Sequence, residues 1–268
     1  MNLQVTLTPS EGKRIIGMAI AGMEVVQGAL ERGTIVIATS TTTAYVLEEL
    51  MGKEVKEKGM FTAGVVTARG CCLTDPDGRY EHQVIRGGEA KDVKTAGLPK
   101  VLAEMGPSDV FIKGANAIDP FGQAGILLGG AGGGTIGRSW GYITANGITT
   151  VIAVGLEKLV PISLADVALK TGRKNVDRSL GMACGMMVVA GSIITEMEAL
   201  KLLVGVDVYP VAGGGIDGGE GSKMFVLEGD EEGIGAAYDL VCSVKGEPAL
   251  KTRVQKCDQC DFRCEYRE

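Results

Sequence analysis

Four groups of residues in this chain have types and spacings that suit chemistry. The first is a run of five hydroxyl residues, Thr39, Ser40, Thr41, Thr42 and Thr43. It lies between an apolar run, Thr34 to Ala38, and a helical pattern from Ala44 to Met51. A strand, a hydroxyl-rich loop and a helix N-terminus, in that order, can grip a phosphate, because hydroxyls, backbone N–H groups and the helix dipole converge there. A helix cap accounts for one of the five hydroxyls. The second group is the polar turn Lys113-Gly114-Ala115-Asn116-Ala117-Ile118-Asp119, which follows the strand-like run Asp109 to Ile112. The third is the glycine cluster Gly129 to Gly134, which feeds a helix from Thr135. Backbone amides of Gly132, Gly133 and Gly134 could approach an anion closely, and a close-packed strand–helix turn would use the same glycines. The fourth is Lys158, just past the apolar strand Thr149 to Val154, where open α/β sheets place their ligand crevice. A solvated lysine is the alternative there.

The tail Lys256 to Cys264 carries Cys257, Cys260 and Cys264 at C-x2-C-x3-C spacing. Three thiolates so close can converge on zinc or an iron–sulfur cluster, with Cys242, Cys71 or a neighbouring chain's cysteine as fourth ligand. Reduced or oxidation-prone thiols are the alternative. The single histidine, His82, has no partner histidine for metal work and reads as a surface or hairpin residue rather than a catalytic one.

Composition excludes several classes. The net charge of −6 gives no basic excess to hold a nucleic-acid backbone, and 4% aromatic residues give little for base stacking. The opening MNLQVTLTPSEGKR lacks an apolar leader core, and no apolar run reaches membrane-spanning length. The expectation is a cytoplasmic protein with neither nucleic-acid nor membrane partners. Its seven cysteines are then thiols or metal ligands rather than disulfides.

These groups need a frame. One helix is expected from Pro9 to Arg32, stopped by Gly33, with apolar residues at helical spacing from Ile15 to Val26. Strands are expected at Thr34–Ala38, Phe61–Ala68, Asp109–Ile112 and Thr149–Val154, and helices at Ala44–Met51 and Lys100–Met105. Strands that are apolar without alternation, separated by helices, imply an α/β fold: a Rossmann-like parallel sheet with helices on both faces over residues 1–178. From Gly185 the rhythm becomes β-α-β-β-α, which suggests a smaller α+β domain of split βαβ, ferredoxin-like type over 179–250, followed by the cysteine tail 251–268. Apolar faces at Ile15–Val26 and Met182–Val189 suggest a homo-oligomer.

Three loops carry a resemblance. Gly33-Thr-Ile-Val-Ile-Ala-Thr-Ser-Thr-Thr-Thr-Ala-Tyr45 resembles the first phosphate loop of ribose-5-phosphate isomerase and of the sugar-phosphate sensor domains of deoxyribose-repressor-type regulators. Lys113 to Asp119 is similar to the isomerase's Asp-Gly-Ala-Asp-Glu segment, and to the Gly-Ala-Asp-Ala turn of initiation factor 2B and methylthioribose-phosphate isomerase. Ala153 to Leu159 is similar to the isomerase strand that ends in Ser-Lys, with Lys158 at the matching lysine. The shared class is the sugar isomerase/CoA-transferase-like superfamily, over roughly residues 10 to 165. The resemblance implies a phosphosugar site. It also shows departures: Lys113 and Asn116 stand where the isomerase has carboxylates, no lysine precedes the glycine cluster, and Gly137-Arg138-Ser139 replaces its Arg-Glu-Lys.

Two functions are therefore expected to compete. In the first, an enzyme acts on a phosphorylated, sugar-like metabolite by isomerisation or another enolisation-type step. Thr39 to Thr43, Gly114, Gly132 to Gly134 and Thr135 hold the phosphate, Lys113 and Lys158 balance its charge, Asp119 is the acid or base and Asn116 orients a hydroxyl. No cofactor is required for that chemistry. In the second, the same pocket belongs to a non-catalytic metabolite sensor. A structural metal protein built around the tail is a weaker third.

Overall fold

The computed structural model describes residues 1–266. Strand β1 (Asn2–Leu7) is followed at once by α1 (Pro9–Gly22). Thr8 starts that helix with a reciprocal cap: its hydroxyl accepts from Glu11 N–H, and the Glu11 carboxylate accepts from Thr8 N–H. Met23 takes an extended conformation (φ −61°, ψ 134°), so the single expected helix is two, α1 and α2 (Glu24–Arg32). Next come β2 (Thr34–Ile37) and α3 (Thr41–Met51), which is capped by Ser40 and ended by Gly52 in the left-handed region. The pairs β3 (Gly64–Thr67) with β4 (Gly70–Leu73), and β5 (His82–Arg86) with β6 (Glu89–Val93), are antiparallel hairpins. Of the strand expected at Phe61–Ala68 only β3 forms, and it pairs with β4 outside the main sheet.

The middle of the chain supplies α4 (Leu98–Ala103), β7 (Val110–Gly114), β8 (Ala117–Ile118), β9 (Ala124–Leu128), α5 (Gly134–Asn146), β10 (Thr149–Ala153) and α6 (Leu164–Lys170). The last part supplies β11 (Gly185–Val189), β12 (Ser192–Ile194), α7 (Glu196–Val204), β13 (Asp207–Gly214), β14 (Ser222–Glu228) and α8 (Glu231–Val244).

The fold is mixed α/β around a six-stranded sheet, in the order β12-β10-β7-β2-β5-β6. The first four strands are parallel; β5 and β6 run antiparallel at one edge. Side chains alternate across the sheet and separate two cores. Ile35, Ile37, Ile112, Val151 and Ala153 face Ile15, Ile16, Ile20, Val26 and Val46 of α1, α2 and α3, together with Leu200 of α7 and Val241 of α8. Val36, Phe111, Ile152 and Val154 face Leu98 and Leu102 of α4, and Ile136 and Ile143 of α5. Burial on both faces explains why these strands read as unbroken apolar runs. The apolar face of Ile15–Val26, assigned above to a subunit interface, is consumed by this intramolecular core.

The expected boundary near residue 178 is crossed in both directions. β12 joins the main sheet beside β10, and β11 pairs with β9. In turn β1 pairs with β14, in a three-stranded antiparallel sheet β1-β14-β13. The tail is tied down as well: Asp75 N–H donates to Arg253 O, Gln255 N–H to Leu73 O, and Thr252 Oγ1 to Gly59 O. No helix among the described residues is long and apolar enough to cross a membrane.

Two glycines give opposite expectations. At Gly17, where α1 crosses α3, an added Cβ would lie 2.8 Å from Tyr45 Cβ and 3.0 Å from its carbonyl carbon. Gly17→Ala should lower stability by about 1–3 kcal/mol, since the helix axes must part. At Gly28, inside α2, the nearest such atom is the tip of Arg32 at 3.6 Å, so Gly28→Ala should add about 0.4–1 kcal/mol. Thermal melts of the two variants check the signs.

Candidate functional site

The carboxyl ends of β2, β7, β10 and β12 point the same way because these strands are parallel. Chain direction across the sheet reverses between β2 and β7, since β2 leads on to the β5–β6 edge and β7 to β10 on the other side. Such a reversal opens a crevice in an α/β sheet. The loops, turns and helix starts after these strands carry Thr39 and Ser40, Ala115 and Asn116, Glu157 and Lys158, and Thr195 and Glu196.

The five hydroxyls divide their work. Ser40 Oγ caps α3 by accepting from Thr42 N–H at 3.2 Å. Thr43 Oγ1 donates back to Ala38 O at 2.8 Å. Thr42 Oγ1 is fully buried and has no hydrogen-bond partner, while Thr41 is half-buried. Gly114 is glycine because Ser40 Oγ occupies the space its Cβ would need.

Behind this loop sits His82, which opens the β5–β6 hairpin as expected but is buried rather than at the surface. Thr39 N–H donates to Nδ1 at 3.0 Å, which fixes the ring as the neutral Nε2–H tautomer. Nε2 then faces Thr95 Oγ1 at 2.9 Å and Thr135 Oγ1 at 3.2 Å. Burial, reinforced by the charge of Lys113, pushes its pKa down to about 3. His82 thereby ties the hydroxyl loop to the first turn of α5.

Lys113 Nζ donates to Thr39 O at 3.0 Å, and Lys158 Nζ to Ala115 O at 2.8 Å. Desolvation pulls both ammonium groups down to about 8; Lys113 is lowered further by the charge of Lys158. Glu157 binds Lys13 Nζ through Oε1 at 2.6 Å, while its Oε2 is buried without a partner. Glu196 Oε2 accepts from Leu156 N–H at 2.8 Å. Glu157 Oε2 and Glu196 Oε1 both crowd the place where a Cβ on Gly155 would stand, so the two carboxylates are neighbours. Their proton affinities are split. Lys13 and Lys158 hold Glu157 below the usual carboxylate range against the opposing effect of burial, whereas burial and the Glu157 charge raise Glu196 to about 7. A carboxylate and a carboxylic acid side by side form an acid–base pair.

Two residues assigned above to chemistry serve the backbone instead. Asp119 Oδ1 accepts from Phe121 N–H and Gln123 N–H, and Oδ2 from Leu164 N–H. These bonds hold its pKa down against desolvation and brace the turn into β9. Asn116 Oδ1 accepts from Leu127 N–H and closes the β8–β9 pair. The lone pairs that Asp119 would use as a base are taken up by three backbone N–H groups. Gly132, Gly133 and Gly134 all take positive φ, a path that only glycine follows easily. Gly132 and Gly133 border a cavity of about 380 Å³ lined also by Leu128, Arg173 and Lys174. A larger one, about 760 Å³, lies away from the strand ends, lined by Arg14, Glu48, Lys58 and Glu247, which already pair with one another. The described residues form no group of three or more His, Cys, Asp or Glu placed to hold a metal, so Cys257, Cys260 and Cys264 are not gathered into such a site. Cys264 Sγ instead accepts from Gly181 N–H at 3.0 Å.

Because His82 is the only histidine, its ring nitrogens can be read by NMR without assignment. The spectrum should show the neutral Nε2–H form with no titration above about pH 4, given a pKa near 3. A midpoint near the ordinary 6.5 would mean that the Thr39 bond and the burial are not present in solution. Comparison of the chain with family models, with curated proteins and with solved structures found no match.

Proposed function

We propose that the protein binds a small phosphorylated, sugar-like metabolite at the strand ends and moves a proton on it, as an isomerase-like enzyme of the sugar isomerase/CoA-transferase-like superfamily. The observation that carries this reading is Glu157: a buried carboxylate oxygen without a partner, under the charge of the Lys158 ammonium, which donates to Ala115 O. Buried polar atoms are normally satisfied, and an orphan at a crevice calls for a ligand group. The orphan hydroxyl of Thr42, with Ser40, Thr41 and the amides of the glycine cluster, suits a phosphate. Lys113 and Lys158 balance its charge.

Enolisation needs a base for a carbon-bound proton and a donor for the oxygen that becomes negative. Glu157, ionised, is the base in this scheme, in place of Asp119. Glu196, protonated, returns the proton or supports Glu157 in the shuttle. The same crevice without proton transfer would be a metabolite sensor, and the experiments below separate the two.

Phosphosugar and inorganic phosphate should raise the melting temperature, with a gain of about 2.7 kcal/mol at a hundredfold excess over Kd. Ser40→Ala and Lys113→Met should each abolish the shift. The lysines are protonated below about pH 8, so affinity is full there and declines as pH rises through that value. Binding near pH 8 should therefore take up protons, measured by calorimetry in buffers of different ionisation enthalpy. No shift with any phosphorylated compound overturns the reading.

For the chemistry, a bound phosphosugar in deuterated water should lose its carbon-bound proton next to the carbonyl, followed by NMR. Glu157→Gln should abolish the exchange and leave phosphate binding intact. The wild-type rate should fall as pH rises through about 7, where Glu196 gives up its proton. Tight binding without exchange in the wild type would leave a sensor.

A further inference from the structure

The thiols away from the strand ends converge where the tail spacing did not indicate. Cys71 on β4 and Cys184, just before β11, are 113 residues apart in sequence, yet their Sγ atoms lie 3.7 Å apart. The backbones that carry them are joined. Met182 N–H donates to Cys71 O at 2.6 Å, and Cys71 pairs with Gly181 in a parallel bridge. Gly181 has φ +92°, and an added Cβ there would lie 2.5 Å from Cys71 N, so only glycine permits this approach. Cys72 alternates to the opposite face of β4, where Thr67 Oγ1 contacts it, and does not compete.

We propose that Cys71 and Cys184 are a reversible dithiol–disulfide site that, when oxidised, locks the β3–β4 hairpin to the floor of the glycine cluster. A disulfide needs about 1.6 Å of further approach, within reach of side-chain rotation. The floor is shared: a Cβ at Gly129, the first glycine of the cluster, would lie 2.5 Å from Met182 Cε and 3.5 Å from Cys184 Sγ. Both cysteines are half-buried, so a small oxidant can reach them. The thiols are also unequal. The Cys71 S–H and the charge of Arg173 favour the Cys184 thiolate, while Cys71 is pushed up by the same hydrogen bond and by burial. That inequality is common to redox-active pairs.

The reaction is exchange with a low-molecular-weight disulfide such as oxidised glutathione. Cys184 thiolate attacks one sulfur, giving a mixed disulfide and releasing one thiol. Cys71, on losing its proton, attacks the Cys184 sulfur and releases the second thiol. The two protein thiols are oxidised, the external disulfide is reduced to two thiols, and the two thiol protons leave with them.

The test uses the full chain, reduced, desalted and titrated with oxidised glutathione. The expected result is a loss of two hydrogens in intact mass and a cross-link between the peptides holding Cys71 and Cys184, reversed by dithiothreitol. Cys71→Ser and Cys184→Ser should each remove the link, and Cys242→Ser, on exposed α8, should not. Amide exchange of the 125–134 peptide should slow on oxidation, as expected when a local opening is suppressed. The proposal is overturned if glutathione adducts persist without an internal link, if Cys184 links to Cys264 instead, or if the link forms with exchange unchanged. It is also overturned if the purified protein holds stoichiometric zinc or iron that Cys184→Ser releases.

Discussion

Two ammonium groups drawn out of water at the ends of parallel strands set the terms for the rest of this structure. Lys113 and Lys158 repel each other; Lys113 donates to Thr39 O and Lys158 to Ala115 O. Removing a charge from water is costly unless opposite charge or dipoles answer it. The fold answers with Glu157 beside Lys158 and with carbonyls turned inward from the loops after β2 and β7. Lys13 from α1 then shares Glu157, which obliges the helix to pack close to the strand ends. The small residues Gly12, Gly114 and Gly155 lie where side-chain atoms of Glu196, Ser40 and Glu157 fill the space.

The order of events in the hydroxyl loop illustrates how one packed histidine can organise several backbones. Thr39 is held on both sides, its N–H by His82 and its C=O by Lys113. Because the ring is neutral and fixed as one tautomer, it transmits position rather than charge to Thr135 at the start of α5. The hydroxyl loop and the glycine cluster, separated by some ninety residues in the chain, thus share a rigid reference.

What the sequence made legible was what local chemistry decides. The apolar strands, the capped start of α1, the hydroxyl loop and the glycine entry to α5 all depend on residues within a few positions of one another. The Glu157–Glu196 pair and its Lys13 partner depend on strands meeting across a sheet, with Lys13 and Glu157 144 residues apart, and no spacing rule exposes them. Asp119 misled because a carboxylate that braces a turn has the same local signature as one that works on a substrate. β12, at three residues, is too short for periodicity to register, and its return to the main sheet is what defeated the expected boundary near 178. His82 was discounted for want of a partner histidine, when its partners were a backbone amide and two threonine hydroxyls.

The pairing of β1 with β14 has a consequence for how the molecule is made. Asn2 sits opposite Glu228, and Leu7 opposite Lys223. During synthesis, which runs at about 5–20 residues per second, the opening strand waits on the order of ten seconds or more for its partner. Through that interval α1 can dock on α3, but β1 presents an unpaired edge, the kind of surface on which nascent chains associate wrongly. Lys245, from the end of α8, donates to Thr6 O and to the Glu11 carboxylate. Strand β1 is thus fastened by residues from the last quarter of the chain, so its edge is covered late in synthesis.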